Sequence, residues 1–101
     1  RNIKKAEFSI MSVLKSNPSN VEAFLGMAKL YTSQGNPIKA MQYFDEAIKR
    51  NPHHERAYLE RGIFVYKIDK ERAKRDITKA FELNPYNPKV NQFYKSLVSP
   101  Q

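Results

Sequence analysis

The residues with the clearest potential for chemistry are two adjacent histidines followed by a glutamate, His53-His54-Glu55. Imidazole and carboxylate groups are common zinc ligands, and two histidines on a helix bind one ion when they are four residues apart. Adjacent residues on a helix point in different directions, so this spacing does not aim both imidazoles at one ion. We therefore interpret the cluster as a solvated turn and predict no metal site.

Two pairs of carboxylates, Asp45-Glu46 and Asp69-x-Glu71, are the remaining candidates for acid–base chemistry. Such catalysis needs a positioned partner, and neither pair has a histidine or lysine at a recognisable spacing. A charged helix face is the simpler interpretation. The segment Gly35-Asn36-Pro37 has a single glycine and joins two helical segments, which indicates a turn and not a phosphate-binding loop. We predict no catalytic residue and no cofactor, and therefore no enzyme.

The charge balance is strongly basic, with 18 Lys and Arg against 10 Asp and Glu and a formal net charge of +8. This surplus favours acidic partners, including nucleic acid and anionic lipid. The densest basic run, residues 67–79, has acidic residues interleaved and no aromatic side chain to stack on nucleotide bases. A solvated outer helix is the favoured interpretation, and nucleic acid is a disfavoured partner. Electrostatic binding of nucleic acid or an anionic membrane is the alternative function.

Composition limits the class of protein further. A chain of 101 residues forms one domain at most, and the absence of cysteine excludes disulfides and thiol chemistry without assigning a compartment. No apolar run approaches the roughly 20 residues of a membrane-spanning helix, so we expect a soluble protein, with the cytoplasm favoured. The chain begins at Arg1 without a signal-peptide pattern, and we expect it to be part of a longer protein.

A phrase ending in Asn-Pro occurs three times, as VLKSNP at 13–18, EAIKRNP at 46–52 and KAFELNP at 79–85. Five of the six prolines follow asparagine, and because a residue before proline is disfavoured in a helix, each pair marks a helix boundary. Between these boundaries the apolar residues recur at helical spacing. The pattern predicts six helices: 2–16, 20–33, 37–50, 54–67, 70–83 and 88–98.

The chain resembles the tetratricopeptide repeat (TPR) family, whose unit of about 34 residues carries an aromatic residue, Leu-Gly, Tyr, Ala-x3-Phe and Pro in that order. Residues 21–54 fit this pattern through Phe24, Met27, Ala28, Tyr31, Ala40, Phe44, Ala47 and Pro52. Residues 55–87 match a second unit that is one residue short between its helices. Residues 2–18 resemble the second helix of a preceding unit, and residues 88–98 resemble a capping or next-repeat helix. The resemblance implies an all-α domain over 1–101, with antiparallel helical hairpins stacked as a TPR-type α-solenoid.

All eight alanines fall where this pattern places small or contact residues. Small side chains let neighbouring helices approach closely, so we expect the alanines between helices. Replacement of Ala40 or Ala73 by Leu should destabilise the fold by about 1–3 kcal/mol through overpacking. Arg61 stands where a large apolar residue is usual, and we expect its stem to lie along the stack.

In TPR solenoids, ligands bind in a concave groove lined mainly by the first helix of each repeat. The resemblance implies the following groove residues, with Ser96 beside them: Glu22, Leu25, Lys29, Arg56, Leu59, Ile63, Tyr66, Lys67, Lys89 and Gln92. If they are exposed, these residues form an apolar strip with a basic edge, suited to a peptide with apolar anchors and acidic character. The alternative for Leu25, Leu59 and Ile63 is burial against adjacent repeats that are not part of this sequence.

Some TPR co-chaperones clamp a C-terminal carboxylate with lysine and asparagine. Here Leu25 and Leu59 stand at the lysine position of that clamp, so binding of a chaperone tail is disfavoured. We predict a non-catalytic protein–protein interaction module that binds a peptide or protein segment in the groove. A structural spacer, or self-association through Val90, Phe93, Tyr94 and Leu97, is a further alternative.

Overall fold

A computed structural model describes residues 3–98, which form six α-helices and no strand. The helices are α1 (Ile3–Ser16), α2 (Val21–Ser33), α3 (Pro37–Arg50), α4 (Glu55–Val65), α5 (Lys70–Leu83) and α6 (Pro88–Leu97). The chain divides into two compact units between Pro52 and His53, so that unit 1 contains α1 to α3 and unit 2 contains α4 to α6. The predicted all-α helical repeat fold is thereby confirmed. None of the helices in the described range combines the length and apolar character required to cross a membrane.

The predicted helix limits are close to those observed. Helices α3 and α5 begin and end at the predicted residues. Helix α4 is shorter at both ends than the predicted 54–67. The predicted start at residue 20 lies one residue before α2, and the predicted end at residue 98 lies one residue after α6. Residue 2, the predicted start of the first helix, lies outside the described residues.

Polar side chains set where the helices begin, because the first N–H groups of a helix have no partner within it. The Asn36 side chain accepts a hydrogen bond from the Lys39 backbone N–H at 3.2 Å. Asn20, His54, Asp69 and Asn87 cap α2, α4, α5 and α6 in the same way. For Asn36-Pro37 and Asn87-Pro88, the helix start predicted from the pair therefore has a local cause in hydrogen bonding.

In unit 1, α2 and α3 form an antiparallel hairpin. Arg50, at the end of α3, lies 5.4 Å over the ring of Phe24 near the start of α2. Tyr43, in the middle of α3, stacks on Tyr31 with ring centroids 5.7 Å apart. Helix α1 packs on α2 where Ile10 faces Gly26, and a Cβ at that glycine would lie 3.4 Å from the Ile10 Cδ1.

In unit 2, α4 and α5 form the second antiparallel hairpin, since Asn84 after α5 bonds Glu55 at the start of α4. The core contains Leu59, Ile77, Ala80 and Val90, which come from all three helices of the unit. Half-buried aromatic side chains pack around it, and the rings of Phe81 and Tyr94 stack with centroids 4.0 Å apart.

The two hairpins turn by different means. In unit 1 the turn contains Gly35 at a φ of 72°, a left-handed conformation that favours glycine. In unit 2 the turn contains no glycine, and the Val65 carbonyl instead accepts bonds from the N–H groups of Ile68 and Asp69 at 2.9 and 2.7 Å. This tighter turn explains why α4 ends before residue 67.

The alanines are buried as predicted, with a single difference. Ala23, Ala28, Ala40, Ala47, Ala57, Ala73 and Ala80 are buried, and Ala6 is half-buried. Ala40 and Ala73, which we expect not to tolerate leucine, are fully buried in their hairpins.

Candidate functional site

The His53-His54-Glu55 segment has a structural role. The Nδ1 of His54 accepts a hydrogen bond from the Ala57 N–H at 3.3 Å and caps α4. The Glu55 carboxylate accepts bonds from the side-chain amides of Asn84 and Asn87 at 3.1 and 3.2 Å. Within residues 3–98, no group of three or more His, Cys, Asp or Glu residues is arranged to hold a metal ion.

The other carboxylates considered for catalysis also have local partners. Asp69 caps α5 by accepting bonds from the N–H groups of Glu71 and Arg72. Glu46 pairs with Arg50 at 3.4 Å, four residues further along the same helix. These contacts are typical of helix termini and helix faces, and they stabilise the helices.

Unit 2 contains a groove between the end of α4 and the second half of α6. The cavity has a volume of about 290 Å³ and is lined by Ile63, Tyr66, Lys67, Gln92, Phe93, Ser96 and Leu97. We call it the unit-2 groove. Its α6 residues lie one, three and four positions apart, a spacing that places them on one face of a helix.

The walls of the unit-2 groove are apolar and held in place. Ile63, Phe93 and Leu97 are half-buried and pack on the core around Leu59 and Val90. Lys67, Gln92 and Ser96 are exposed at its edge. The Nζ of Lys70 lies 5.5 Å over the Tyr66 ring, which adds a further cation next to the groove. The groove thus offers an apolar surface together with cationic and amide hydrogen-bond donors.

Four of the ten predicted binding residues come together in this groove: Ile63, Tyr66, Lys67 and Gln92. Ser96, predicted beside them, also lines it. Phe93 and Leu97 were predicted as self-association residues and not as groove residues. Their spacing from Gln92 and Ser96 on α6 is the sequence signal that could have assigned them to the groove.

Two of the predicted binding residues require correction, because Leu25 is 1% exposed and Leu59 is 2% exposed. Side chains this deeply buried are not available to a ligand. Leu59 belongs to the core of unit 2 with Ile77 and Val90. Both leucines are buried within this chain itself, whereas the alternative considered from the sequence was burial by repeats outside it.

The remaining predicted residues do not line the unit-2 groove. Glu22 and Lys29 are exposed on α2 in unit 1. Arg56 lies in the first turn of α4, where its Nε pairs with Glu60 at 3.2 Å. Lys89 is exposed in the first turn of α6.

A second groove lies in unit 1, between α1 and α3 and over α2. It has a volume of about 470 Å³ and is lined by Lys4, Glu7, Phe8, Met11, Met27, Tyr31, Lys39 and Tyr43. We call it the unit-1 groove. The Tyr31 hydroxyl donates a hydrogen bond to Glu7. This bond, followed by burial and the charge of Glu7, raises the pKa of Tyr31 to about 12. This groove was not predicted from the sequence.

Comparison with known proteins shows similarity to repeat proteins. Residues 21–54 match the tetratricopeptide repeat family. A UDP-N-acetylglucosamine–peptide N-acetylglucosaminyltransferase of Giardia intestinalis is 32% identical over 71 residues, which cover 69% of this chain and 5% of that enzyme. The chain therefore corresponds to a small part of this relative.

A solved structure has the same fold. The first TPR domain of Spaghetti (RPAP3), bound to the HSP90 peptide SRMEEVD, superposes with a TM-score of 0.73 at 19% identity, over 97% of this chain and 82% of the other. At this identity the similarity concerns the fold. Residues 21–54 therefore match a tetratricopeptide repeat, and the chain as a whole shares the helical repeat fold of a TPR domain.

Proposed function

We propose that the chain is a non-catalytic protein-interaction module and that the unit-2 groove binds an apolar anchor side chain of a peptide or protein partner. The observation that carries this proposal is the convergence of Ile63, Phe93 and Leu97 beside exposed Lys67 and Gln92. Peptide-binding surfaces commonly combine a pocket for an apolar anchor with polar groups that orient the backbone.

The size and charge of the groove indicate the chemistry of the ligand. A volume of about 290 Å³ lies at the small end of the range for ligand pockets, which favours a peptide side chain over a cofactor. Lys67 and Lys70 favour a carboxylate near the anchor, and the Gln92 amide is suited to a peptide backbone group. We therefore infer that the ligand is a peptide segment in which an apolar residue is followed or preceded by an acidic one.

The comparisons support a binding role for the fold without identifying the partner. The Spaghetti domain was solved with a peptide, which provides a precedent for peptide binding on this helical repeat. The chain spans 5% of the glycosyltransferase relative, so we propose no catalytic step for it. Burial of Leu25 and Leu59 leaves the positions of the lysine clamp inside the fold, and we propose no chaperone-tail specificity.

The test uses peptides selected on the whole chain from a displayed library of random 12-residue sequences, with affinities measured by fluorescence anisotropy. The double substitution Lys67→Glu and Ser96→Arg reverses a charge and places a bulky side chain in the groove without changing a buried residue. Lys95→Glu with Ser12→Arg makes the same chemical changes at exposed positions that do not line the groove. We expect at least tenfold weaker binding for the groove variant and unchanged binding for its control.

Equal affinities of the two variants would contradict the proposed site. The same assay at rising salt concentration tests the electrostatic alternative, because affinity for a polyanion falls steeply with salt. Capture of an apolar anchor should depend only weakly on salt. If the library yields no peptide, and the affinity of the chain for DNA or RNA decreases steeply with salt, the nucleic-acid interpretation would be favoured instead.

A further inference from the structure

Helix α1 exposes two large apolar side chains that the repeat pattern does not require. Phe8 is 74% exposed and Met11 is 48% exposed. They lie three residues apart, on one face of the helix, and both line the unit-1 groove. Exposed apolar side chains that cluster beside a cavity often mark an interaction surface.

The internal repeat shows what normally occupies these two positions. The offsets of 34 and 33 residues place Gln42 and Arg75 at the position of Phe8, and Asp45 and Thr78 at the position of Met11. Gln42, Asp45 and Arg75 are exposed in the structure. Packing of a repeat therefore needs no apolar side chain at either position.

Val13 differs from these two residues. It is 44% exposed, but its counterparts Ala47 and Ala80 are fully buried in the hairpins of α3 and α5. The position of Val13 is thus a packing position of the repeat, and its exposure reflects a helix face that α2 does not cover. For this reason Val13 does not contribute to the inference.

The unit-1 groove is preformed by contacts among its own side chains. Tyr31 and Met27 are buried at its base, and the Tyr31 hydroxyl bonds Glu7 on α1. The Tyr43 ring lies nearly parallel to the Tyr31 ring, at an angle of 6°. Because these contacts join all three helices, binding would not first have to order the groove.

The charges at the edge of the groove indicate the partner. Lys4 and Lys39 are exposed there, and the Nζ of Lys39 lies 5.2 Å over the Tyr31 ring. The one carboxylate among the lining residues, that of Glu7, accepts the Tyr31 hydroxyl bond. The edge is therefore cationic around an apolar and aromatic surface, which favours a ligand with carboxylates beside its apolar anchors.

We propose that the unit-1 groove is a second docking site, separate from the unit-2 groove, for a protein segment that carries aliphatic or aromatic anchors flanked by acidic residues. The anchors pack on Phe8, Met11 and Tyr43, and the flanking carboxylates pair with Lys4 and Lys39. This role accounts for the apolar residues at positions that are polar elsewhere in the repeat.

The test uses two 12-residue probes with the same Leu and Phe anchors, flanked by Glu in one peptide and by Lys in the other. Nuclear magnetic resonance titration of the whole chain should show binding of the acidic probe at least tenfold tighter, with shifts at Met11 and Tyr43. Substitution of Phe8→Gln and Met11→Asp, the residues that α3 carries at these positions, should weaken acidic-probe binding at least tenfold. Both side chains are exposed, so circular dichroism should show unchanged helix content.

Two controls separate this site from other surfaces. Ile68→Gln removes an exposed apolar side chain outside both grooves and should leave the affinity unchanged, as should Lys67→Glu with Ser96→Arg in the unit-2 groove. The absence of a preference for the acidic probe, or equal losses in Ile68→Gln and Phe8→Gln/Met11→Asp, would overturn the proposal. So would sedimentation showing a dimer that Phe8→Gln/Met11→Asp dissociates, because the groove would then hold a second copy of the chain.

Discussion

Arg61 of α4 and Asp76 of α5 form a two-point ion pair inside unit 2. The Arg61 Nη2 lies 2.8 Å from Asp76 Oδ1, and its Nε lies 2.9 Å from Oδ2. Among the described residues, Asp76 is the one charged residue that is buried. Arg61 also lies 6.0 Å from the centre of the Tyr58 ring. The arginine that replaces a large apolar residue of the repeat is thus matched by a carboxylate on the facing helix.

Loss of one partner of this pair should destabilise the protein more than loss of both. Asp76→Ala leaves the Arg61 guanidinium without its carboxylate in a largely buried position, and we expect a decrease of about 3 kcal/mol in the free energy of unfolding. Arg61→Met with Asp76→Leu removes both charges and should lie within about 1 kcal/mol of the wild type. Urea unfolding of the single variants Arg61→Met and Asp76→Leu and of the double variant measures the coupling. Additive effects would contradict the interpretation.

The two helical glycines should respond in opposite ways to alanine. A Cβ at Gly62 would lie 2.9 Å from Ile77 Cδ1 and 3.2 Å from Asp76 Cβ, so we expect Gly62→Ala to destabilise by about 1–3 kcal/mol. At Gly26 the nearest atom would be Ile10 Cδ1 at 3.4 Å. There the higher helix propensity of alanine should stabilise by up to about 1 kcal/mol. Thermal unfolding followed by circular dichroism measures both changes, and a stabilised Gly62→Ala variant would show that α4 and α5 are not tightly packed.

Glu55 should contribute a stability that is lost in acid. Burial acts to raise its pKa, but the amide hydrogen bonds from Asn87 and Asn84, a backbone bond and the nearby His54 together hold the pKa below its ordinary value. A lowered folded-state pKa stabilises the fold above the unfolded-state pKa of about 4.3, and the contribution disappears as the pH falls through the folded value. The difference in unfolding free energy between the wild type and Glu55→Gln should therefore shrink as the pH falls from 7 to below about 4.

The control for this measurement is Glu82→Gln, which removes the same charge at an exposed position of α5. We expect a smaller pH dependence for this variant. A difference for Glu55→Gln that does not change with pH would show that the amide bonds do not depend on the charge of the carboxylate.

Tyr31 should be the source of a late step in an alkaline titration. Its hydrogen bond to Glu7, its burial and the charge of Glu7 raise its pKa to about 12. Its contribution to stability should be complete below about pH 10 and lost as the pH rises toward 12. Ultraviolet absorbance should show a late component that Tyr31→Phe removes and Glu7→Gln shifts to lower pH. Tyr86→Phe, at an almost fully exposed ring, should leave that component in place.

The positions of the helices could be predicted because their signals are local. Asn36-Pro37, for example, supplies both a capping acceptor and a first-turn proline at the start of α3. The error at the end of α4 has an equally local cause. The Val65 carbonyl accepts hydrogen bonds from two N–H groups there, and residues 66–69 contain no glycine that would indicate a turn.

The candidate binding residues were predicted less completely because their exposure depends on distant parts of the chain. The repeat pattern placed Leu59 and Ile63 on the same side of α4. Burial separates them, since Leu59 enters the core with Ile77 and Val90, whereas Ile63 stays half-buried beside the groove. Arg61 was expected to lie along the stack, but its partner Asp76 lies 15 residues away.

By itself, the sequence determined the repeat pattern, the helices and the alanine contacts. These features follow from spacings of a few residues, which a single helix expresses. The tertiary structure decided which side chains a partner can reach: Leu25 and Leu59 are buried, Phe93 and Leu97 join the unit-2 groove, and Phe8 and Met11 line a second groove. A groove is formed by side chains from helices far apart in sequence, so its residues become apparent only when the helices pack.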